Sequence, residues 1–108
     1  TADYLHGPIS ALTSDTQVFF VVPSHTPYES ISDAVKKIRE TTKNLFWIGN
    51  GGAIEPGEVH LGGSNCNDEI TSTIADAVVV QRLALEFAVK EGFNPDAPEG
   101  LSKVTLTI

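Results

Sequence analysis

His6, in the run Asp3-Tyr4-Leu5-His6-Gly7-Pro8, is the side chain best suited by type and setting to move protons. An imidazole titrates near neutral pH, so a histidine held in place takes up a proton in one step and returns it in another. The residues after it supply the holding. Pro8 has no N–H and biases Gly7 away from helical angles, while Gly7 reaches backbone conformations that cost other residues more. The pattern predicts a stiff, irregular corner beside His6. The plain alternative, a turn residue without chemistry, is met by the same three residues.

At the other end, Lys103 lies between Leu101 and Val104. Partial desolvation there would sharpen its charge interactions and lower its pKa, whereas an ordinary surface lysine would show neither effect. Between these ends the chain reads as scaffold. Val18-Phe19-Phe20-Val21-Val22 is β-branched, aromatic and without alternation, the pattern of a central parallel strand buried on both faces. Ser24 and His25 follow at its carboxyl end, where open α/β sheets form ligand crevices.

Thr26-Pro27-Tyr28-Glu29 has the form of a capping box with proline at the first helical position. Ile31, Ala34, Val35 and Ile38 then recur at helical spacing, with Asp33, Lys36, Lys37 and Arg39 on the solvated side. Leu45-Phe46-Trp47-Ile48 reads as a second buried strand. The Gly49-Asn50-Gly51-Gly52 stretch after it reads as a flexible turn, because neither the P-loop nor the dinucleotide spacing is present. Val59-His60-Leu61 is a short third strand, with His60 directed to an edge or to solvent. A long helix starts near Asp68, capped by Asn65 or Asn67, and stops at Gly92. From Ile74 to Val89 it is apolar on nearly every side, which predicts cover on both sides by the chain or by a partner subunit.

The 108 residues make one domain at most, with a formal net charge of −7 that disfavours nucleic acid and anionic membranes as partners. A small phosphorylated ligand remains compatible with that charge. Cys66 is the only cysteine, so the sequence has no internal disulfide and no cluster of thiolates for a metal. No apolar run approaches the ~20 residues of a membrane helix, and a cytoplasmic setting is expected.

Taken together, the ends of the chain resemble the SIS (sugar isomerase) domain family, in particular the C-terminal half of the isomerase domain of glucosamine-6-phosphate synthase and of related phosphosugar deaminases and isomerases. Asp3-x-x-His6-Gly7-Pro8 is similar to the family's acidic-x-x-His-Gly-Pro. Asp96-x-Pro98-x-x-Leu101-x-Lys103-Val104-Thr105 is similar to its C-terminal signature, and the strand, helix, strand, strand, long-helix order lies between them. The resemblance covers the whole chain.

It implies a flavodoxin-like α/β fold, here the last three strands and the long C-terminal helix of one SIS domain, residues 1–108 being part of a longer two-SIS-domain chain. It implies action on an aminosugar or ketose 6-phosphate, with His6 opening the sugar ring, Lys103 against the substrate carbonyl or amine, and Ser102 beside it. Homodimers are the implied assembly. No metal or other cofactor is expected, because moving a proton between adjacent carbons requires only placed acids and bases. The family's enolising glutamate and phosphate loop lie upstream of the histidine, before this sequence starts. Glu99 stands where many members have arginine, which removes or reverses an anion contact. Isomerisation, deamination and deglycation all fit, and a non-catalytic sugar-phosphate-binding regulatory module is the alternative.

Overall fold

The structure, a computed structural model, describes residues 7–97 and 100. Strands β1 (Val18–Val21), β2 (Leu45–Ile48) and β3 (Val59–His60) form one sheet in the order β1-β2-β3. All pair parallel, with Val18 opposite Leu45, Val21 opposite Ile48 and Phe46 opposite Val59. Helix α1 (Ser32–Thr41) makes the crossover that parallel β1 and β2 require. Between β2 and β3 the chain returns without a helix, and α2 (Glu69–Lys90) follows. The architecture of the described residues is thus α/β, with a small parallel sheet and two α-helices.

β2 lies in the middle of this sheet, which accounts for its unbroken apolar run: Leu45, Trp47 and Ile48 are all buried. Trp47 packs with Val22 from the end of β1 and Val35 of α1. Phe20 stacks on Trp47 with ring centroids 4.5 Å apart, an arrangement worth about 1 kcal/mol beyond burial alone. On the opposite side of the same two strands, Phe19 stacks on Phe46 at 4.8 Å.

Several expectations are corrected. β1 is an edge strand among the described residues: α1 covers the side that carries Phe20, while Phe19 and Val21 on the other side are 38% and 48% exposed. The first helix does not start at a Thr26 capping box. Pro27 is extended, a 3-10 turn spans Tyr28–Ser30, and α1 is preceded by Ile31 with no side-chain cap. The Thr26 hydroxyl instead donates to Glu69 Oε1 at 3.2 Å.

Neither asparagine caps α2. Asp68 does so, accepting from the Thr71 N–H at 2.9 Å and from its hydroxyl at 2.7 Å. The bond from the Thr71 N–H, reinforced by the hydroxyl, holds the Asp68 carboxyl below its ordinary pKa. The burial of α2 also runs opposite to its apolar character. Its buried residues are Ser72 and Asp76, whereas Ile74, Val78 and Leu85 are 67%, 52% and 50% exposed. The described residues alone therefore do not supply the expected two-sided cover, and the partner subunit remains as the other expected source. No helix among them is long and apolar enough to cross a membrane.

Arg39 departs from the solvated face predicted for α1. Its Nε donates to Glu58 Oε1 at 2.6 Å, and its Nη2 donates to Glu58 Oε2 at 2.9 Å and to the Ala53 carbonyl at 2.7 Å. Its Nη1 also pairs with Glu55 Oε1 at 2.8 Å. The Trp47 indole N–H donates to Glu58 Oε2 at 2.7 Å. One carboxylate thus joins α1, β2 and the β2–β3 connection. By contrast Lys36 remains in solvent, 4.0 Å from Asp33.

Candidate functional site

His6, Ser102 and Lys103, the residues singled out for catalysis and substrate binding, lie outside the described residues, as do Asp3 and Glu99. Within the described residues, polar side chains gather at the carboxyl ends of the three strands, on the segments that follow them. A parallel sheet brings those ends to one edge, the usual location of ligand crevices in open α/β sheets.

After β1, Pro23 to Thr26 form a turn closed by the Thr26 N–H donating to the Pro23 carbonyl at 3.2 Å. His25 has the positive φ of 70° that a turn's third position takes when glycine ordinarily fills it, and it is the only non-glycine residue with positive φ among those described. For a histidine this costs about 1 kcal/mol. The turn directs His25 Nε2 to within 3.2 Å of the Cys66 carbonyl oxygen, a contact that an Nε2–H tautomer makes as donor.

The segment after β2 is not the flexible turn expected from its glycines. The Gly51 N–H donates to the Val22 carbonyl at 2.9 Å, and the Gly49 N–H donates to the Gly62 carbonyl at 2.8 Å. Gly49 has φ 89°, and a Cβ there would lie 2.7 Å from Asp76 Oδ2 and closer still to the Val22 carbonyl oxygen. Glycine is therefore required by close packing at this position as well as by dihedral angle. His60 is exposed as expected, but it has a partner, its Nε2 lying 3.0 Å from the Gly49 carbonyl oxygen.

The three segments meet at the backbone of Ser64. Its carbonyl accepts the Ser24 hydroxyl at 2.9 Å and the Asn50 side-chain amide at 2.9 Å, while its N–H donates to Asp76 Oδ1 at 2.7 Å. Asn50 Nδ2 also donates to Asn65 Oδ1 at 2.9 Å. Asn50, Asn65 and His25 remain exposed around this junction and Ser24 is half-buried. These hydroxyl, amide and imidazole groups are suited to the hydroxyls and carbonyl of a polyhydroxy aldehyde or ketone, and among the described residues no lysine or arginine takes part in the junction. No group of three or more His, Cys, Asp or Glu among the described residues is placed to hold a metal ion.

Sequence reasoning located Ser24 and His25 from their place after an apolar strand. It missed Asn50, Ser64 and Asp76. A charged residue inside an apolar helix was the available sign for Asp76, whereas Ser64 acts through its backbone and carries no side-chain signal. Two apolar grooves lie elsewhere. One, of about 280 Å³, runs along β1 beside Ile31, Ala34 and Ile38. The other, of about 340 Å³, lies along α2 beside Leu61, Val79, Arg82 and Leu83. No protein-family model and no curated protein matches this chain.

Proposed function

We propose that the protein is a phosphosugar isomerase or deaminase of the SIS type, acting on an aminosugar or ketose 6-phosphate. The observation that supports this most is the strand, helix, strand, strand, long-helix order in a wholly parallel sheet, lying between the His6 and Lys103 motifs that resemble the family's. In this reading His6 moves a proton between the ring oxygen and the anomeric hydroxyl. Lys103, with Ser102 beside it, polarises the opened carbonyl or imine. The strand-end crevice around Ser24, Asn50 and Asn65 contributes neutral hydrogen-bonding groups for the sugar hydroxyls. The apolar row of α2 is covered by a second copy of the chain, giving a homodimer.

The protein purified from its source tests the reading when offered fructose 6-phosphate and glucosamine 6-phosphate, with aldose, ketose and ammonia measured as products. His6→Ala is expected to abolish turnover while leaving ligand-induced thermal stabilisation in place. Glu99, an acid where the family often has arginine, favours a second reading: a regulatory module that binds sugar phosphate without turning it over. That reading predicts thermal stabilisation by these sugar phosphates and no product from either.

A further inference from the structure

Asp76 is an aspartate within an apolar stretch of helix, wholly removed from solvent. Burying a carboxylate costs free energy unless both oxygens find partners, yet only Oδ1 does so, accepting the Ser64 N–H at 2.7 Å. Oδ2 faces the backbone of Gly49, with no room for a Cβ between them. Gly63 is equally close on its own side: a Cβ there would lie 2.7 Å from the Gly49 carbonyl carbon. Asp76 therefore meets the segments after β2 and β3 at one point, and Ser64, whose N–H it accepts, is the residue whose carbonyl receives Ser24 and Asn50.

We infer that Asp76 is the positioning residue of the strand-end crevice, anchoring Ser64 by its N–H and through that residue the Ser24 hydroxyl and the Asn50 amide that its carbonyl accepts. The Ser64 hydroxyl also donates to the Ser72 carbonyl at 3.4 Å, so α2 holds this residue at two points, its N–H and its side chain, and the Ser64 carbonyl is presented from that anchored residue. Two side chains from two different strand ends then take their orientation from that one carbonyl. A negatively charged acceptor makes the shorter and stronger bond, so a carboxylate holds the Ser64 N–H more firmly than an amide does. The placement stands on the geometry alone, while its consequence for sugar-phosphate binding rests on the function proposed above.

The test compares Asp76→Asn with the wild-type protein by amide hydrogen exchange and by NMR of side-chain amides. Asparagine keeps an acceptor for the Ser64 N–H but removes the charge. The inference expects at least tenfold faster exchange of the Ser64 amide and displaced Asn50 side-chain signals, with the distant Trp47 indole signal unchanged. If the phosphosugar reading also holds, KM for fructose 6-phosphate rises three- to tenfold with kcat nearly constant, and Ser24→Ala added to Asp76→Asn gives less than the product of the single effects. Unchanged Ser64 exchange and unchanged Asn50 signals in a folded variant overturn the positioning role, whatever the substrate proves to be. A wild-type protein that ignores sugar phosphates while the Asp76→Asn signals still move overturns only the functional reading. Should Asp76→Asn fail to fold, Ser64 exchange in the wild-type protein decides: protection well above that of the exposed Asn65 amide supports the role, and equal exchange overturns it.

Discussion

Arg39 and Glu58 form a two-point ion pair, Nε to Oε1 at 2.6 Å and Nη2 to Oε2 at 2.9 Å, with side chains only 14% and 7% exposed. The guanidinium also lies 5.7 Å from the centre of the Trp47 ring. The pair belongs to the scaffold. It ties α1 to the ten residues between β2 and β3, a connection with no helix of its own to stabilise it.

Removing one partner leaves a charge in a largely dry setting. Glu58→Ala is expected to lower the unfolding free energy by about 3 kcal/mol, because Arg39 and the Trp47 indole N–H both lose their main acceptor. Chemical denaturation measures this. Lys36→Ala, which removes the exposed pair with Asp33, should change stability by less than about 0.5 kcal/mol.

The same pair sets a pH dependence. Burial pushes the Glu58 carboxyl up, but hydrogen bonds from Arg39, the Glu55 N–H and Trp47 outweigh it, so the folded pKa lies below the ordinary 4.5. A carboxyl depressed on folding contributes stability that is fully present above its unfolded pKa and is lost as pH falls through the folded value. Stability should therefore decline below about pH 4.5, and Glu58→Gln should flatten that decline. An equal slope in the variant would assign the acid transition to other groups.

Two glycines separate conformational strain from crowding. Gly57 has φ 97° and open space around its Cβ position, so Gly57→Ala costs only backbone strain, about 1–2 kcal/mol. Gly49 has φ 89° and also faces Asp76 Oδ2 and the Val22 carbonyl, so Gly49→Ala should cost about 4 kcal/mol or prevent folding. Thermal melts of the two variants give the comparison directly.

Ile74, Val78 and Leu85 fall on one stripe of α2 and are each at least half exposed. If a second copy covers this stripe, the protein should behave as a dimer in light scattering at micromolar concentration. Val78→Glu with Leu85→Glu should convert it to monomer. A wild-type protein that is monomeric under these conditions removes the dimer from the account.

Much of the fold was legible because burial leaves a pattern in the residues themselves. The unbroken Leu45–Ile48 run marks the strand enclosed between neighbours, and the spacing of Ala34, Val35 and Ile38 marks the buried face of α1. What escaped depends on partners distant in sequence. Thr26 reads as a cap until α2 places Glu69 beside it, and Arg39 reads as a solvated charge until the connection after β2 brings Glu58 to it. The apolar run of β1 shows what the strand is made of, not whether another element lies against both faces. Within the crevice, Ser24 and His25 were accessible from strand polarity. The junction at Ser64 is a backbone event, which residue types do not encode.

The most direct test of the central claim follows glucosamine 6-phosphate and fructose 6-phosphate in deuterium oxide by proton NMR, with the protein purified from its source. Proton transfer between C1 and C2 is predicted to carry solvent deuterium into the sugar, and His6→Ala to slow that uptake by about 100-fold or more. A folded protein that incorporates no deuterium into either sugar phosphate and releases no ammonia would contradict the claim that it is an aldose-ketose enzyme.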